Sequence, residues 1–356
     1  MSEFDKYIVQ GEPDKKAKAN AWQTAIGLQD VDGLKPSEYL IKTAVQHIEG
    51  DITIDQVKDM LDTYYETKDV REQLDDERTE EADKVSARIT EILSEQSFSF
   101  TPDYLLRIHR RLFEGIYKHA GQLRDVNITK KEWVLNGDTV LYSNYDMLRE
   151  TLEYDFEQEK KTDYSVLNAD MAVKQICKFV SGIWQIHPFR EGNTRTTAVF
   201  TMKWLQNFGF SVDNDVFKDN SWYFRNALVR ANYNNIPKRI FATSEYLELF
   251  FRNLLFGEQN KLSNRTMLAG DFQSATQEIS KSQNGTLDGT LNCNLDELAL
   301  LRFVKENPDA TQIEIAKHIG KSERTVKRMT PALIERGLLE RENGKRNGKW
   351  VVKCEI

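Results

Sequence analysis

The sequence predicts a mainly α-helical chain with a small α+β module at its C-terminus. Three observations point there. Proline is scarce, and apolar residues recur at helical spacing through most of the 356 residues. One stretch, 121–143, breaks that spacing and centres on Asn136-Gly137-Asp138, a hairpin turn signal. From Gly257 to Asn294 the composition shifts to Ser, Asn, Thr, Gln and Gly, which bury little and mark a linker; regular patterning resumes at Leu295. The expected organisation is an N-terminal helical extension at 1–99, a main domain at 100–256, a linker at 257–294 and a small domain at 295–356.

Each element has its own signal. Within 36–65, Tyr39, Leu40, Ala44, Val45 and Ile48, then Ile54, Val57, Met60 and Leu61, predict short helices. Thr101-Pro102-Asp103 is a helix start with Pro in the first turn, continued by Leu105, Leu106, Ile108, Leu112, Phe113 and Ile116. Val126, Ile128, Trp133, Val134, Val140, Leu141 and Tyr142 flank the hairpin turn. Further helices are expected over 145–160, 166–185, from the motif described below to about Asn207, then over 219–233 and 238–255.

Composition excludes several classes. Without a run of about 18 apolar residues no membrane span is expected, and the acidic start Met1-Ser2-Glu3-Phe4-Asp5 is unlike a signal peptide. Cys177, Cys293 and Cys354 are few and far apart, which suits reduced thiols in a cytoplasm. No Cys/His spacing matches a zinc site. The net charge of −7 is uneven: thirteen Lys/Arg face ten Asp/Glu from Asp296 onward, a balance of +3, leaving −10 elsewhere. An acidic body argues against bulk nucleic-acid binding, while the tail can carry a modest basic face.

The chemistry concentrates in His187-Pro188-Phe189-Arg190-Glu191-Gly192-Asn193-Thr194-Arg195. The apolar helix before it (Met171, Val173, Ile176, Phe179, Val180, Ile183, Trp184) delivers His187 to a cleft, and Pro188 stops that helix. Phe189 anchors the loop and Gly192 permits a positive φ. The next helix starts near Asn193, and its free N–H groups form an anion site. Arg195 adds a charge-assisted contact to phosphate. Glu191 is placed to hold Mg²⁺ beside a polyphosphate. A neutral His187 takes the proton from an attacking hydroxyl. His47, His109, His119 and His318 lack such neighbours and receive no role.

These residues closely resemble the Fic family, whose signature is His-Pro-Phe-x-(Asp/Glu)-Gly-Asn-Gly-Arg; the chain departs from it at Thr194, where Gly is usual. The resemblance extends upstream through Ile108-His109, Leu112-Phe113, Tyr117, Ala120-Gly121, Arg124 and Asn127-Ile128, and downstream through Ala227-Leu228 and Ala231-Asn232, covering roughly 100–250. It implies a Fic-like helical bundle with a β-hairpin flap that transfers AMP from ATP, with Mg²⁺, to a Ser, Thr or Tyr hydroxyl of a target protein or of itself. His187 would be the general base and Glu191 the metal ligand. Gly192, Asn193, Thr194 and Arg195 would line the phosphates, and Asn232, with Phe224 or Tyr223, the base. Val140, Leu141, Tyr142 and Ser143 would form the flap that pins the target's backbone by strand addition.

Regulation departs further. Many family members carry a second Arg three residues after the motif Arg, paired with a Glu on an inhibitory helix; here that position is Ala198. Ala25-Ile26-Gly27-Leu28-Gln29-Asp30 resembles that helix with Gln29 in place of Glu. Ile48-Glu49-Gly50 has the Glu-Gly, but Val45 stands where Ser or Thr belongs. The expectation is that 20–65 packs near the site without the usual clamp.

Residues 295–354 resemble the winged helix-turn-helix superfamily: three helices, a wing tip at Glu342–Gly348, and a returning strand at Trp350-Val351-Val352. Arg324, Lys327 and Arg328 on the third helix, with Lys345 and Arg346 in the wing, are the candidate DNA contacts. A docking or dimerisation module is the alternative, and a homodimer stays open. Gly320-Lys321-Ser322 is not a phosphate loop, because Ile315 stands where its first Gly is required. The functional alternatives are transfer of UMP, phosphocholine or phosphate, removal of AMP, or a transcription regulator that senses nucleotide without turnover.

Overall fold

The computed structural model describes residues 3–67, 74–210, 215–269, 293–342 and 348–354. Lys345 and Arg346 lie outside them. An N-terminal layer comprises α1 (Asp5–Gln10), α2 (Pro13–Gly27), α3 (Glu38–Glu49), α4 (Ile54–Thr67) and α5 (Leu74–Ser94). The central body comprises α6 (Pro102–Phe113), α7 (Leu148–Lys160), α8 (Ala169–Ile186), α9 (Asn193–Asn207), α10 (Asp215–Ala231) and α11 (Glu245–Phe256). The C-terminal module has α12 (Leu295–Glu306), α13 (Gln312–His318), α14 (Glu323–Glu335), β1 (Leu339–Glu342) and β2 (Lys349–Val352).

Capping explains several boundaries. Thr101 Oγ1 accepts from Tyr104 N at 3.2 Å ahead of Pro102, and Asn168 Oδ1 accepts from Met171 N at 2.9 Å, starting α6 and α8. Asn294 and Thr311 each close a reciprocal capping box, with Glu297 and Glu314. α9 is the axis of the body, buried from Asn193 to Leu205. Its start forms the candidate site, and its end meets the C-terminal module. There a Cβ on Gly209 would lie 2.7 Å from Ile319 Cα, so only glycine permits the approach.

One core runs from the body into the C-terminal module, joining Phe156, Phe179, Phe200 and Trp204 to Leu298, Leu301 and Ile315. A second core, around Trp22, Leu40, Ile48, Val57 and Leu61, holds the N-terminal layer together. His47 sits in that layer, its Nδ1 accepting from Trp22 Nε1 at 3.0 Å. Burial, then the nearby Lys18, pushes its pKa down to about 4. Burial likewise pushes His109, on α6, down to about 3. Both folded values lie below the ordinary 6.5 of the unfolded chain, so unfolding takes up protons as the pH falls. Their contribution is complete above pH 6.5 and is lost as the pH drops toward 4 and then 3. Stability against thermal unfolding is therefore expected to fall by on the order of 3 kcal/mol between pH 7.5 and 4 through His47 alone. The His47→Gln variant should show a flatter profile. Equal midpoints for wild type at both pH values would mean that these imidazoles are not buried neutral.

Three sequence expectations change. The Asn136-Gly137 turn forms, with φ of 54° and 86°, and Glu132 N donates to Asp138 O at 2.9 Å. Its arms form no ladder, however, and among the described residues the one sheet is antiparallel β1–β2. Side chains take the arms' main-chain groups instead: Thr139 Oγ1 accepts from Lys130 N, Gln185 donates to Leu141 O, and Arg124 donates to Val126 O and Ser143 O. Second, the helix expected over 238–255 begins only at Glu245, because an Asn235–Ile240 bridge organises the preceding loop. Third, 257–269 is not free linker. Met267 is fully buried, and Ala269 exchanges main-chain and Asn136 side-chain hydrogen bonds with the base of the flap. The rest of that linker, 270–292, lies outside the described residues.

Candidate active site

α8 ends at Ile186, and His187 takes a left-handed conformation (φ 51°) that turns the chain out of the helix. The bend is held from both sides. His187 N donates to Trp184 O at 3.0 Å, and Arg124 Nε donates to His187 O at 2.8 Å. His187 Nδ1 lies 3.2 Å from Trp184 O, so it carries the hydrogen in that bond and leaves the lone pair on Nε2. Nε2 is buried and, among the described residues, has no hydrogen-bond partner, which leaves its lone pair available to accept a proton. Burial, followed by the positive charge of Lys130, holds its pKa well below 6.5. The ring lies between Trp184 and Tyr142, with centroids 5.2 and 4.2 Å away, and is 3% exposed. Tyr142 is fixed in turn by its hydroxyl's 3.3 Å bond to Glu132, a buried carboxylate bridged by Arg225 at 2.8 and 3.1 Å.

The loop after His187 closes on itself. Asn193 Oδ1 accepts from Phe189 N at 3.0 Å, while Asn193 Nδ2 donates to Phe189 O at 2.8 Å. Asn193 thus braces the loop instead of presenting its amide to a ligand. Phe189 stacks on His109 with centroids 3.7 Å apart; His109 Nδ1 accepts from Gly121 N, and its Nε2 lies 3.0 Å from Glu191 O. Gly192 has φ 73°, and a Cβ there would lie 2.4 Å from the Phe113 ring. Within α9 the Thr196 N–H already reaches Gly192 O, so the N–H groups ahead of it are those a helix leaves for an anion. Thr194 explains its own departure from glycine: Trp184 Nε1 donates to its Oγ1 at 2.9 Å and ties α8 to α9.

The charged residues divide. Glu191 is open, its side chain 58% exposed, and Lys130 Nζ lies 2.9 Å from its Oε2. Arg195 is 1% exposed and already occupied: Nε is 2.8 Å from Asp32 Oδ2, Nη2 is 2.5 Å from Glu81 Oε1, and Nη1 is 3.1 Å from Gln29 Oε1. Burial works against its charge, and Asp32, Tyr117 and Glu81 outweigh that cost, holding the pKa above its ordinary value. Gln29 therefore does reach the loop from the N-terminal layer, but a clamp is not missing. Asp32 and Glu81 supply the carboxylates, on the motif Arg itself. Ala198 is core.

Among the other expected residues, Phe224 needs correcting. It is fully buried and packs with Phe217, Phe250 and Phe251, so it offers no face to a base; Tyr223 lies in the same aromatic cluster. Asn232 is half-buried and donates to Ser181 O and Leu228 O, joining α10 to α8. In the flap, Val140 and Tyr142 are buried, while Leu141 is 84% exposed. Sequence reasoning missed Lys130, Asp32, Glu81 and His109. For Lys130 the signal was available in the Lys130-Lys131 pair just before the flap turn; for Glu81 it was not, since a charged helix gives no hint of what it faces. Among the described residues no group of three or more His, Cys, Asp or Glu gathers as a metal site, and no helix is long and apolar enough to cross a membrane.

In the C-terminal module, Val326, Met329 and Leu333 bury one face of α14, while Arg324, Lys327 and Arg328 are exposed on it. Lys327 pairs with Glu323 one turn earlier at 2.6 Å.

Residues 99–205 match the Fic/DOC family, and residues 297–340 match the winged helix-turn-helix DNA-binding family. The chain is also similar to protein adenylyltransferase VbhT of Bartonella schoenbuchensis, 27% identical over 120 residues. That alignment spans 33% of this chain and 24% of VbhT. The chain thus carries a Fic/DOC domain followed by a winged helix-turn-helix domain.

Proposed function

We propose that this chain is a protein adenylyltransferase, moving AMP from ATP to a Ser, Thr or Tyr hydroxyl of a target protein. The observation that carries the reading is the unpartnered Nε2 of His187, its tautomer set by Trp184 O, one loop away from the N-terminus of α9. The hydroxyl oxygen bonds to the α-phosphorus, the bond from that phosphorus to the bridging oxygen breaks, and pyrophosphate leaves. The hydroxyl proton passes to His187 Nε2. Backbone N–H groups at the start of α9 hold phosphate oxygens, so positioning and electrostatics supply most of the rate.

The residues present fit Mg²⁺ arriving with the nucleotide rather than a resident ion. Glu191, a single exposed carboxylate, is the residue of this chain that would hold the ion. When bound, it neutralises charge on the phosphates. Tyr142 packs against the His187 ring, with centroids 4.2 Å apart, so the flap segment 140–143 borders the base directly.

Incubation with α-labelled ATP tests the reading: label should appear on protein. Label from γ-labelled ATP, from UTP or from CDP-choline instead would reassign the transferred group. ATP binding with no labelled protein would favour a nucleotide sensor.

A second reading concerns the C-terminal module, where the exposed Arg324, Lys327 and Arg328 suit duplex DNA. Replacing all three by alanine is expected to weaken binding to random duplex. The slope of log affinity against log salt should become shallower by about 1 for each phosphate that is no longer neutralised. A gel-shift titration at several salt concentrations measures it. An unchanged slope would leave the module as a protein-docking domain.

A further inference from the structure

The cations around the loop of residues 187–195 differ in what holds them. Arg124 donates to the main-chain oxygens of His187, Val126 and Ser143. Arg225 is spent on buried Glu132. Arg190 pairs with Asp125 at the surface. Arg195 is neutralised by two carboxylates. Ala198 contributes no charge. Lys130 is different: its main-chain N–H is anchored on Thr139 Oγ1 at 3.2 Å, while its tip meets one exposed partner, Glu191. Its charge is also felt at His187.

A nucleoside triphosphate is a polyanion, and the N-terminus of α9 offers only about half an elementary charge. Glu191 on its own would repel it. We propose that Lys130 is a phosphate-binding residue of this site: Glu191 and Lys130 part when the nucleotide enters, and the ammonium moves to a β- or γ-phosphate oxygen. The lysine then ties the base of the flap to the nucleotide, so that flap and substrate are ordered together. This rests on the adenylyltransferase reading for its ligand, and binding tests it apart from turnover.

The test is calorimetric binding of ATP and of AMP, with Mg²⁺, to the full chain carrying His187→Ala, compared with the same chain also carrying Lys130→Gln or Lys130→Arg. A lost charge-assisted hydrogen bond predicts an ATP Kd about ten- to hundredfold higher for Lys130→Gln. AMP binding should change less than threefold (~0.6 kcal/mol), and Lys130→Arg should restore most of the ATP affinity. In the catalytically intact chain, KM for ATP should rise more than kcat falls. An unchanged or lower ATP Kd in Lys130→Gln overturns the proposal, the lower value identifying the lysine as a plug. Equal losses for ATP and AMP overturn it too, since they report general damage. Should the glutamine variant unfold, Lys130→Met reads the same quantities. If wild type binds ATP but labels no protein, the transfer reading fails while the assignment of Lys130 is still decided by the Kd values.

Discussion

Replacing His187 by alanine is expected to lower transfer of α-label to protein by about 10²–10⁴-fold while leaving ATP binding nearly intact. The size follows from what the residue is asked to do. Positioning by the α9 N-terminus and by Lys130 survives the substitution; only the acceptor for the hydroxyl proton is lost. The pH profile sharpens the test. An ordinary imidazole would stop acting as a base as the pH fell through 6.5, but burial and then Lys130 hold His187 well below that value. Labelling by wild type should therefore stay level from about pH 8 to 6 and decline only in more acid solution. In Lys130→Gln the decline should begin at higher pH, because a cation that disfavours imidazolium has gone. Labelling of His187→Ala at the wild-type rate would remove the imidazole from the mechanism. A half-loss near pH 6.5 that disappears in that variant would keep the imidazole as the base and overturn its burial instead, since a buried ring beside Lys130 does not titrate there.

Much of this site is legible in the residues because its parts are local. The order His-Pro-Phe-Arg-Glu-Gly-Asn encodes a helix stop, a core anchor, a positive-φ turn and a helix start within one bend, and each is a short-range preference. The same holds for α6, whose start Thr101-Pro102 announces through capping, whatever the rest of the chain does. What the sequence hides is long-range. Arg195 has the composition of a phosphate ligand and the surroundings of a buried ion pair, and nothing near it in the chain says that Asp32 and Glu81 will meet it. Phe224 looks equally suited to a base or a core; the aromatic rings packed around it decide for the core. The flap keeps its Asn-Gly turn but loses its ladder, because side chains from α8 and the 124–139 segment reach the main-chain groups first. Residues 257–269 look like linker by composition, yet side-chain amides such as Asn253 and Asn136 tie them down.

Neutralising Asp32 and Glu81 together, as Asp32→Asn with Glu81→Gln, is expected to raise transfer at low ATP by about 5–150-fold, the span typical of coupling between two sites. Arg195 cannot touch a phosphate while its guanidinium is held by the N-terminal layer, so whatever that grip is worth is subtracted from nucleotide binding. Asp32 is 40% exposed and Glu81 15%, so solvent weakens the first contact more and the gain should fall in the lower half of the range. The reverse substitution has a different signature. Arg195→Ala leaves carboxylates facing each other without their cation and is expected to cost about 3–5 kcal/mol of stability, read as a lower Tm. Removal of residues 1–65 is a poorer test, because Ala25 and Leu28 are buried in the core of the body itself. If the double variant loses stability without gaining activity, Arg195 is a bolt between layers and not a gate. If it gains activity, a second cation has joined Lys130 at the phosphates, and the penalty of Lys130→Gln should shrink in that background. Such non-additivity is what two charges sharing one ligand require.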